Sequence, residues 1–475
     1  MPKNIFNFEH SYHDLGDAFY VCHQPDACSN PQLIYFNHDL AQDLNIDVNN
    51  WTEHDLAQFF SGTTLTSDCK PLAMAYAGHQ FGHFVPQLGD GRALLLGEHL
   101  TQQNSRIDIQ LKGSGKTHFS RGGDGLAPLG AMIRELLISE CLSHLGIPST
   151  RSLAVVSTGA EVQRDTVHAG AVLTRTASSH LRVGSFEYFY ARQDLTSLKR
   201  LLDYALKRHD ADLPSNQEGY LAFFDRICRR QVSLMAHWMS VGFIHGVMNT
   251  DNCSISGESI DFGPCAFMDE FAFDQVFSSI DQQGRYAYDQ QASILFWNLA
   301  CLARCLLPFI HDDKKNAINL VEQVLARHET LYQKMFRDLF AKKLGIFSSK
   351  EEDDSLIMKL LTHLENTKTD FTLFFYGLAN NIHQENGMYP HLKKRLTQQK
   401  ETLSQAISCM KKHNPLNIAR NHWVEKTIQD AYQADFTSLK ELLKRLKSPY
   451  EEFSDKRFNP LPSESEKVRH TFCGT

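Results

Sequence analysis

The sequence predicts an α+β fold in which a β-rich segment with one embedded helix is followed by a long, almost wholly helical stretch. Two patterns carry this expectation. From Leu72 to about Gly184, short strand-like runs are punctuated by glycine. After about Asp194, apolar residues recur at helical spacing, with charge on the opposite faces.

Residues 1–70 mix short apolar groups with Asp, Asn and Pro and read as an N-terminal extension packed on the main body. Residues 71–190 form the β-rich lobe, with strands expected at Ala93–Leu96, Ile107–Leu111, Leu153–Val156 and Ala169–Arg175. Its one helix is expected over Leu129–Leu145, where Met132, Leu136, Leu137, Cys141 and Leu145 share a face and Gly146-Ile147-Pro148 stops it. Residues 191–315 form a helical lobe, with helices at Leu195–Arg208, Gly219–Val241 and Tyr286–Leu307 and a loop-and-strand insert between Phe243 and Phe273. A helical extension follows over 316–455, including Asn316–Leu344 and Thr437–Leu446, and residues 456–475 read as a mobile or loosely docked tail.

Composition removes several function classes. The chain has 475 residues, 42% hydrophobic and 22% charged, which is ample for cooperating lobes and ordinary for a globular protein. A net charge of -7 and a pI near 6.4 provide no general attraction to nucleic acid or anionic membrane, so neither is an expected partner. The N-terminus lacks the charged head and apolar stretch of a secretory signal, and the expected location is the cytoplasm. Ile294–Ile310 is apolar but short and interrupted by Asn298, Arg304 and Pro308, as in a buried core helix. The 11 cysteines are scattered, without a CxxC pair, which suits reduced thiols; Cys301 and Cys305, at i,i+4, read as packing.

The chemistry-bearing residues come in order along the chain. His245-Gly246-Val247-Met248-Asn249-Thr250-Asp251-Asn252 is followed after eight residues by Asp261-Phe262-Gly263. Hard oxygen ligands suit Mg²⁺ between phosphates, and in protein kinases a loop Asn and the Asp of such a triplet supply them. Asn252 and Asp261 fit those roles, with Cys253–Ile260 expected to form a short hairpin between them. Upstream, Lys112 ends an alternating strand and Glu135 lies on the following helix, the order of a phosphate-binding lysine and its ion-pair partner. Glycines cluster around this lysine at Gly89, Gly91, Gly113, Gly115 and Gly122–Gly125, where backbone N–H groups can approach phosphate. Arg92, Arg175 and Arg182 add forked cationic donors. Together they point to Mg·ATP and a protein-kinase-like bilobal fold.

Two other motifs fail. Gly115-Lys116-Thr117 lacks the earlier Walker glycine, which would fall at Gln110. His79 and His83 have the spacing of a zinc-protease helix, but Gln80 stands where that chemistry needs a Glu.

Longer stretches carry a resemblance. Ala75-Tyr76-Ala77-Gly78-His79-Gln80-Phe81-Gly82, Pro86–Arg92, Gln110–Gly115, Ser120–Gly125 and His245–Asn252 are similar to the selenoprotein O (SelO/YdiU) family, with likeness from Asn7–Tyr12 to the C-terminal Phe-Cys-Gly-Thr. The resemblance implies a kinase-like fold that binds ATP in reversed orientation and places AMP, in some members UMP from UTP, on Ser, Thr or Tyr of acceptor proteins. Carried over by position, it implies that Gly89, Gly91, Arg92, Lys112, Asp124, Gly125, Arg175 and Arg182 contact nucleotide. Asn252 and Asp261 would hold Mg²⁺, with Mn²⁺ the other candidate, Asp261 also touching ATP, and Asp251 would accept the proton.

The residues agree with a departure from ordinary kinases. The usual catalytic Asp stands five residues before the metal Asn, which here is Val247, and Asp251 is the nearby carboxylate. The sequence leaves open a γ-phosphoryl-transferring kinase and a non-catalytic ATP-binding pseudokinase. The tail has only Cys473, so the paired tail cysteines or Cys-x-Sec of some family members have no counterpart.

Overall fold

The computed structural model describes residues 4–455, 458 and 461–472. Its N-terminal part is built on an antiparallel sheet of β1 (Phe8–Glu9), β2 (Tyr20–Cys22), β3 (Gln32–Phe36), β4 (Leu72–Met74), β7 (Ala93–Leu100), β8 (Arg106–Lys112), β9 (Arg151–Gln163) and β10 (Val167–Ala177). The order is β2-β4-β7-β8-β10-β9-β3, with β1 added to β7. A separate hairpin joins β5 (Gly78–Gln80) to β6 (His83–Val85). His79 and His83 therefore face each other's strands and share no helix.

β7 and β9 run longer than their expected spans because Gly97 and Gly159 do not end them. Gly97 sits at a register shift between β7 and β8, and a Cβ there would lie 2.7 Å from the Phe8 ring, so its bareness lets β1 pack across the strand. Gly170 marks a similar shift between β10 and β9. Three strands also come from the first 70 residues, and α1 (His38–Asp43) and α2 (Glu53–Phe60) cover one sheet face with Leu40, Leu56, Phe59 and Phe60. Ile109, Leu111 and Val172 point into that layer. By the alternation of a strand, Gln110 and Lys112 point to the other face.

That other face is covered by α3 (Leu129–His144), which begins as expected and ends one residue early. Leu136 and Leu137 are fully buried, worth roughly 2 kcal/mol each by transfer from water. Because α13 (Asn421–Tyr432) and α14 (Thr437–Leu446) pack on its back, even Arg134, Glu135, Ser139 and Glu140 of α3 are buried. Each finds a partner: Arg134 with Glu425, Glu140 with Arg151 at 2.7 Å, Ser139 with Ser152 at 2.9 Å. Glu135 turns the opposite way, toward the sheet lysine.

The rest of the chain is mainly helical: α4 (Val183–Ala191), α5 (Leu195–His209), α6 (Gln217–Ser240), α7 (Gln291–Ile310), α8 (Lys314–Lys343), α9 (Asp353–Asn366), α10 (Phe371–Asn381), α11 (Tyr389–Leu396), α12 (Leu403–His413), α13 and α14, with an irregular segment between α6 and α7 that holds the expected strands as a ribbon of β11 (Phe243–Ile244) and β12 (Ala266–Phe267). The expected Tyr286 start of α7 is corrected to Gln291, since Tyr288–Gln290 forms a 3-10 turn. Tyr288–Ile310 is long and apolar enough to cross a membrane by composition, and here α7 packs among α4, α6 and α8. Cys253–Ile260 is not a self-paired hairpin: it turns at Ser254–Gly257, and its limbs bridge to Arg182 and Ser149 instead. Among the described residues the tail is docked at several points: the Thr471 N–H donates to the Phe277 carbonyl at 2.7 Å, Lys467 Nζ donates to Glu270 Oε1 at 2.8 Å, and the Phe458 ring centroid lies 4.5 Å from that of Trp423. Cys473 lies outside the described residues.

Candidate functional site

Five segments converge on a cleft of about 470 Å³, within the range of small-molecule sites. The floor is a ladder of alternating charge. Lys112, the last residue of β8, places Nζ 2.5 Å from Glu135 Oε2 and 2.6 Å from Asp261 Oδ1. Arg175, paired in register with Gln110 across β10 and β8, reaches Asp261 Oδ1 at 2.8 Å and Glu135 Oε1 at 3.2 Å. Arg182, just before α4, donates to Asp261 Oδ2 at 3.2 Å and to the Asp251 carbonyl at 2.9 Å. Its guanidinium also lies over the Tyr76 ring, 4.5 Å from the centroid.

Asp261 is thus caged by three cations. Burial alone would raise its carboxyl, but Lys112, Arg175 and Arg182 hold it well below the usual range. Its backbone is left-handed, at φ 65°, a conformation that non-glycine residues adopt at a cost of order 1 kcal/mol. The neighbouring loop turns in a 3-10 helix over Thr250–Asn252. The Asn252 side-chain N–H donates to the Val247 carbonyl at 3.0 Å, which leaves its amide oxygen uncommitted among the described residues. That oxygen and the Asp261 carboxylate are the hard donors Mg²⁺ or Mn²⁺ takes, so the pair fits a divalent cation.

Asp251 differs from Asp261. It is buried, Oδ2 accepts a long 3.4 Å hydrogen bond from Gln80 Nε2, and Oδ1 has no partner among the described residues. Burial pushes its carboxyl up to about 6, against the opposing pull of Arg182. The same cleft thus holds one aspartate kept firmly ionised and another whose proton affinity burial raises. Val247, five residues before Asn252, also lines the cleft.

The remaining expected residues lie on the same walls: Gly89, Gly91, Arg92, Asp124 and Gly125 all line the cleft. Gly89 has φ +70°, and a Cβ there would fall 2.2 Å from the Phe119 ring; at Gly125 it would fall 2.0 Å from the Gly115 carbonyl oxygen. Glycine is therefore required for the loop after β8 to fold back on itself at Gly125 and to lie against the Gly89 loop. The Asp124 carboxylate is held by both Arg164 Nη atoms, at 2.8 and 2.9 Å, and that pairing lowers its proton affinity.

Sequence reasoning missed several supports. Gln110 accepts from Arg175 Nε at 2.7 Å and donates to Asp90 Oδ2 at 3.1 Å. Its position two residues before Lys112 on an alternating strand was a usable signal. Glu187 and Thr250 gave none, because their contacts with His79 join segments far apart in the chain.

A charge ladder under an open cleft, with an Asn252 amide oxygen and an Asp251 carboxylate oxygen that have no partner among the described residues, suits a protein that holds a polyanion with a cation. Comparison with known proteins makes this specific. The family model of protein adenylyltransferase SelO matches residues 3–447, and the chain belongs to that family. It is 44% identical to the protein nucleotidyltransferase YdiU of Clostridium perfringens, over 100% of this chain and 98% of the relative. Identity is 44% to the YdiU of Bacillus thuringiensis subsp. konkukian, over the whole of both chains, and 45% to that of Bacillus mycoides, over 99% and 98%.

Proposed function

We propose that this enzyme moves AMP from Mg·ATP to Ser, Thr or Tyr hydroxyls of acceptor proteins in a protein-kinase-like bilobal fold, releasing diphosphate. Family membership supports nucleotidyl transfer. A lysine on a sheet strand paired with a helix glutamate, ahead of a helical region bearing Asn252 and Asp261, supports the kinase-like reading, with lobes over 71–190 and 191–315.

The observation that carries the reading is Asp251: a buried, proton-hungry carboxylate one residue from Asn252, while Val247 fills the usual base position. Asp251 takes the hydroxyl proton as the acceptor oxygen bonds to the α-phosphorus. The bond from that phosphorus to the bridging oxygen breaks, and diphosphate departs. Lys112, Arg175 and Arg182, with Gly89, Gly91, Arg92, Asp124 and Gly125, would hold and orient the nucleotide. Asn252 and Asp261 would hold Mg²⁺ or Mn²⁺, which neutralises triphosphate charge when bound. UTP fits the same phosphate contacts. The ten described cysteines are all free, in keeping with a reducing cytoplasm.

ATP labelled at the α or the γ phosphate tests the assignment. Label retained on protein from the α position alone is expected. Retention from γ alone would make the chain a kinase, and retention from neither a nucleotide-binding scaffold.

A further inference from the structure

We propose that Glu187 is a positioning residue for Asp251, acting through His79 and Thr250. The proposal rests on the reading of Asp251 as proton acceptor. Glu187 stands on α4, its side chain 3% exposed, outside the cleft lining. Its Oε1 accepts from His79 Nδ1 at 2.6 Å, and its Oε2 accepts the Thr250 hydroxyl. The Thr250 oxygen in turn accepts the His79 backbone N–H at 2.7 Å. These three bonds close a ring through β5, α4 and the turn that carries Asp251.

The residues on either side of His79 are the ones that meet Asp251. At Gly78 a Cβ would lie 2.5 Å from Asp251 Oδ1, so the strand can approach only as glycine. Gln80 donates to Asp251 Oδ2 at 3.4 Å. Gly184, three residues before Glu187 on α4, is equally close-fitting: a Cβ would lie 2.1 Å from the Ala77 carbonyl oxygen and 3.4 Å from Asp251 Cα. Asp251 is therefore wedged between β5 and α4. Glu187 ties both elements to the residue preceding it, through charge-assisted hydrogen bonds shielded from water.

Cys301 Sγ lies within 4.8 Å of the His79 and Glu187 ligand atoms, so a bound cation is the competing explanation of the cluster. The test measures the maximal rate and KM for α-labelled ATP, with proteins of a dialysed bacterial extract as acceptors. Glu187→Ala is expected to lower the maximal rate by about tenfold to hundredfold, as a misplaced reacting group does, with KM for ATP within about twofold. Glu187→Gln, which can still bond both partners, should recover most of the rate. Thr250→Val should reproduce the loss and Thr250→Ser restore it, whether or not Glu187→Ala folds.

Wild-type rates in Glu187→Ala and Thr250→Val would overturn the proposal, as would Glu187→Gln as impaired as Glu187→Ala. A stoichiometric metal in the purified protein that is lost in Cys301→Ser would overturn it in favour of a cation site. Full activity in Asp251→Asn would remove the reading beneath it. An inactive Asp251→Asn beside fully active Glu187→Ala and Thr250→Val would remove the Glu187 role alone.

Discussion

Lys112 and Asp261 stand 149 residues apart in the chain, and their side chains meet at 2.6 Å. Because Glu135 holds the same ammonium at 2.5 Å, one cation ties the sheet, the helix behind it and the loop across the cleft. Lys112→Met is expected to lower kcat/KM for ATP by about a hundredfold, the worth of a charge-assisted contact strengthened in the transition state. Transfer of α-labelled phosphate measures it, and a rate within threefold of wild type would contradict the assignment.

The free amide oxygen of Asn252 predicts a metal phenotype. Asn252→Ala should raise the Mg²⁺ concentration for half-maximal rate by about tenfold or more, since a lost ligand costs 1.4 kcal/mol or more. Chelation should stop turnover and added Mg²⁺ or Mn²⁺ restore it. Unchanged Mg²⁺ dependence in the variant would remove Asn252 from the ligand set.

At Gly89 the backbone and the neighbouring Phe119 ring both exclude a side chain. Gly89→Ala should destabilise the fold by roughly 1–2 kcal/mol, from a strained φ and the displaced ring, and raise KM for ATP. Thermal unfolding and initial rates read the two effects, and an unshifted midpoint would mean that the loop yields freely.

Lys343 predicts a pH dependence far from the cleft. It is buried, its ammonium lies 4.3 Å from the Phe375 ring centroid, and burial pushes it down to about 7. The unfolded chain keeps that proton to about pH 10.4. Between the two values the unfolded state binds more protons, so stability rises with pH; below about 7 the cost of the buried charge is present in full. Lys343→Met should therefore stabilise by roughly 1–3 kcal/mol near pH 6, with the gain shrinking toward pH 10. Parallel unfolding midpoints across that range would contradict it.

How much of this could be read in advance divides along physical lines. α3 and the cores of β7–β10 were legible because their apolar spacing is local; the order of Lys112, Glu135, Asn252 and Asp261 pointed to one shared cleft, and there Lys112 meets both Glu135 and Asp261 while Asn252 lines the same cavity. The full lengths of β7 and β9 were hidden by Gly97 and Gly159, which lie beyond the expected spans yet within the strands. The short N-terminal strands were hidden because they are completed by partners far away in sequence, as Gln32–Phe36 is by β9. The burial of the far side of α3 was hidden because nothing local announces α13 and α14, more than two hundred residues later, packed upon it. Glu187 was invisible for the same reason.

The intact mass of an acceptor protein incubated with this chain, ATP and Mg²⁺ tests the central claim most directly. The account predicts a gain of one adenylyl group that disappears when Asp251 is replaced by Asn. A gain of a phosphoryl group, or an unaltered mass with every acceptor and with UTP as well, would contradict it.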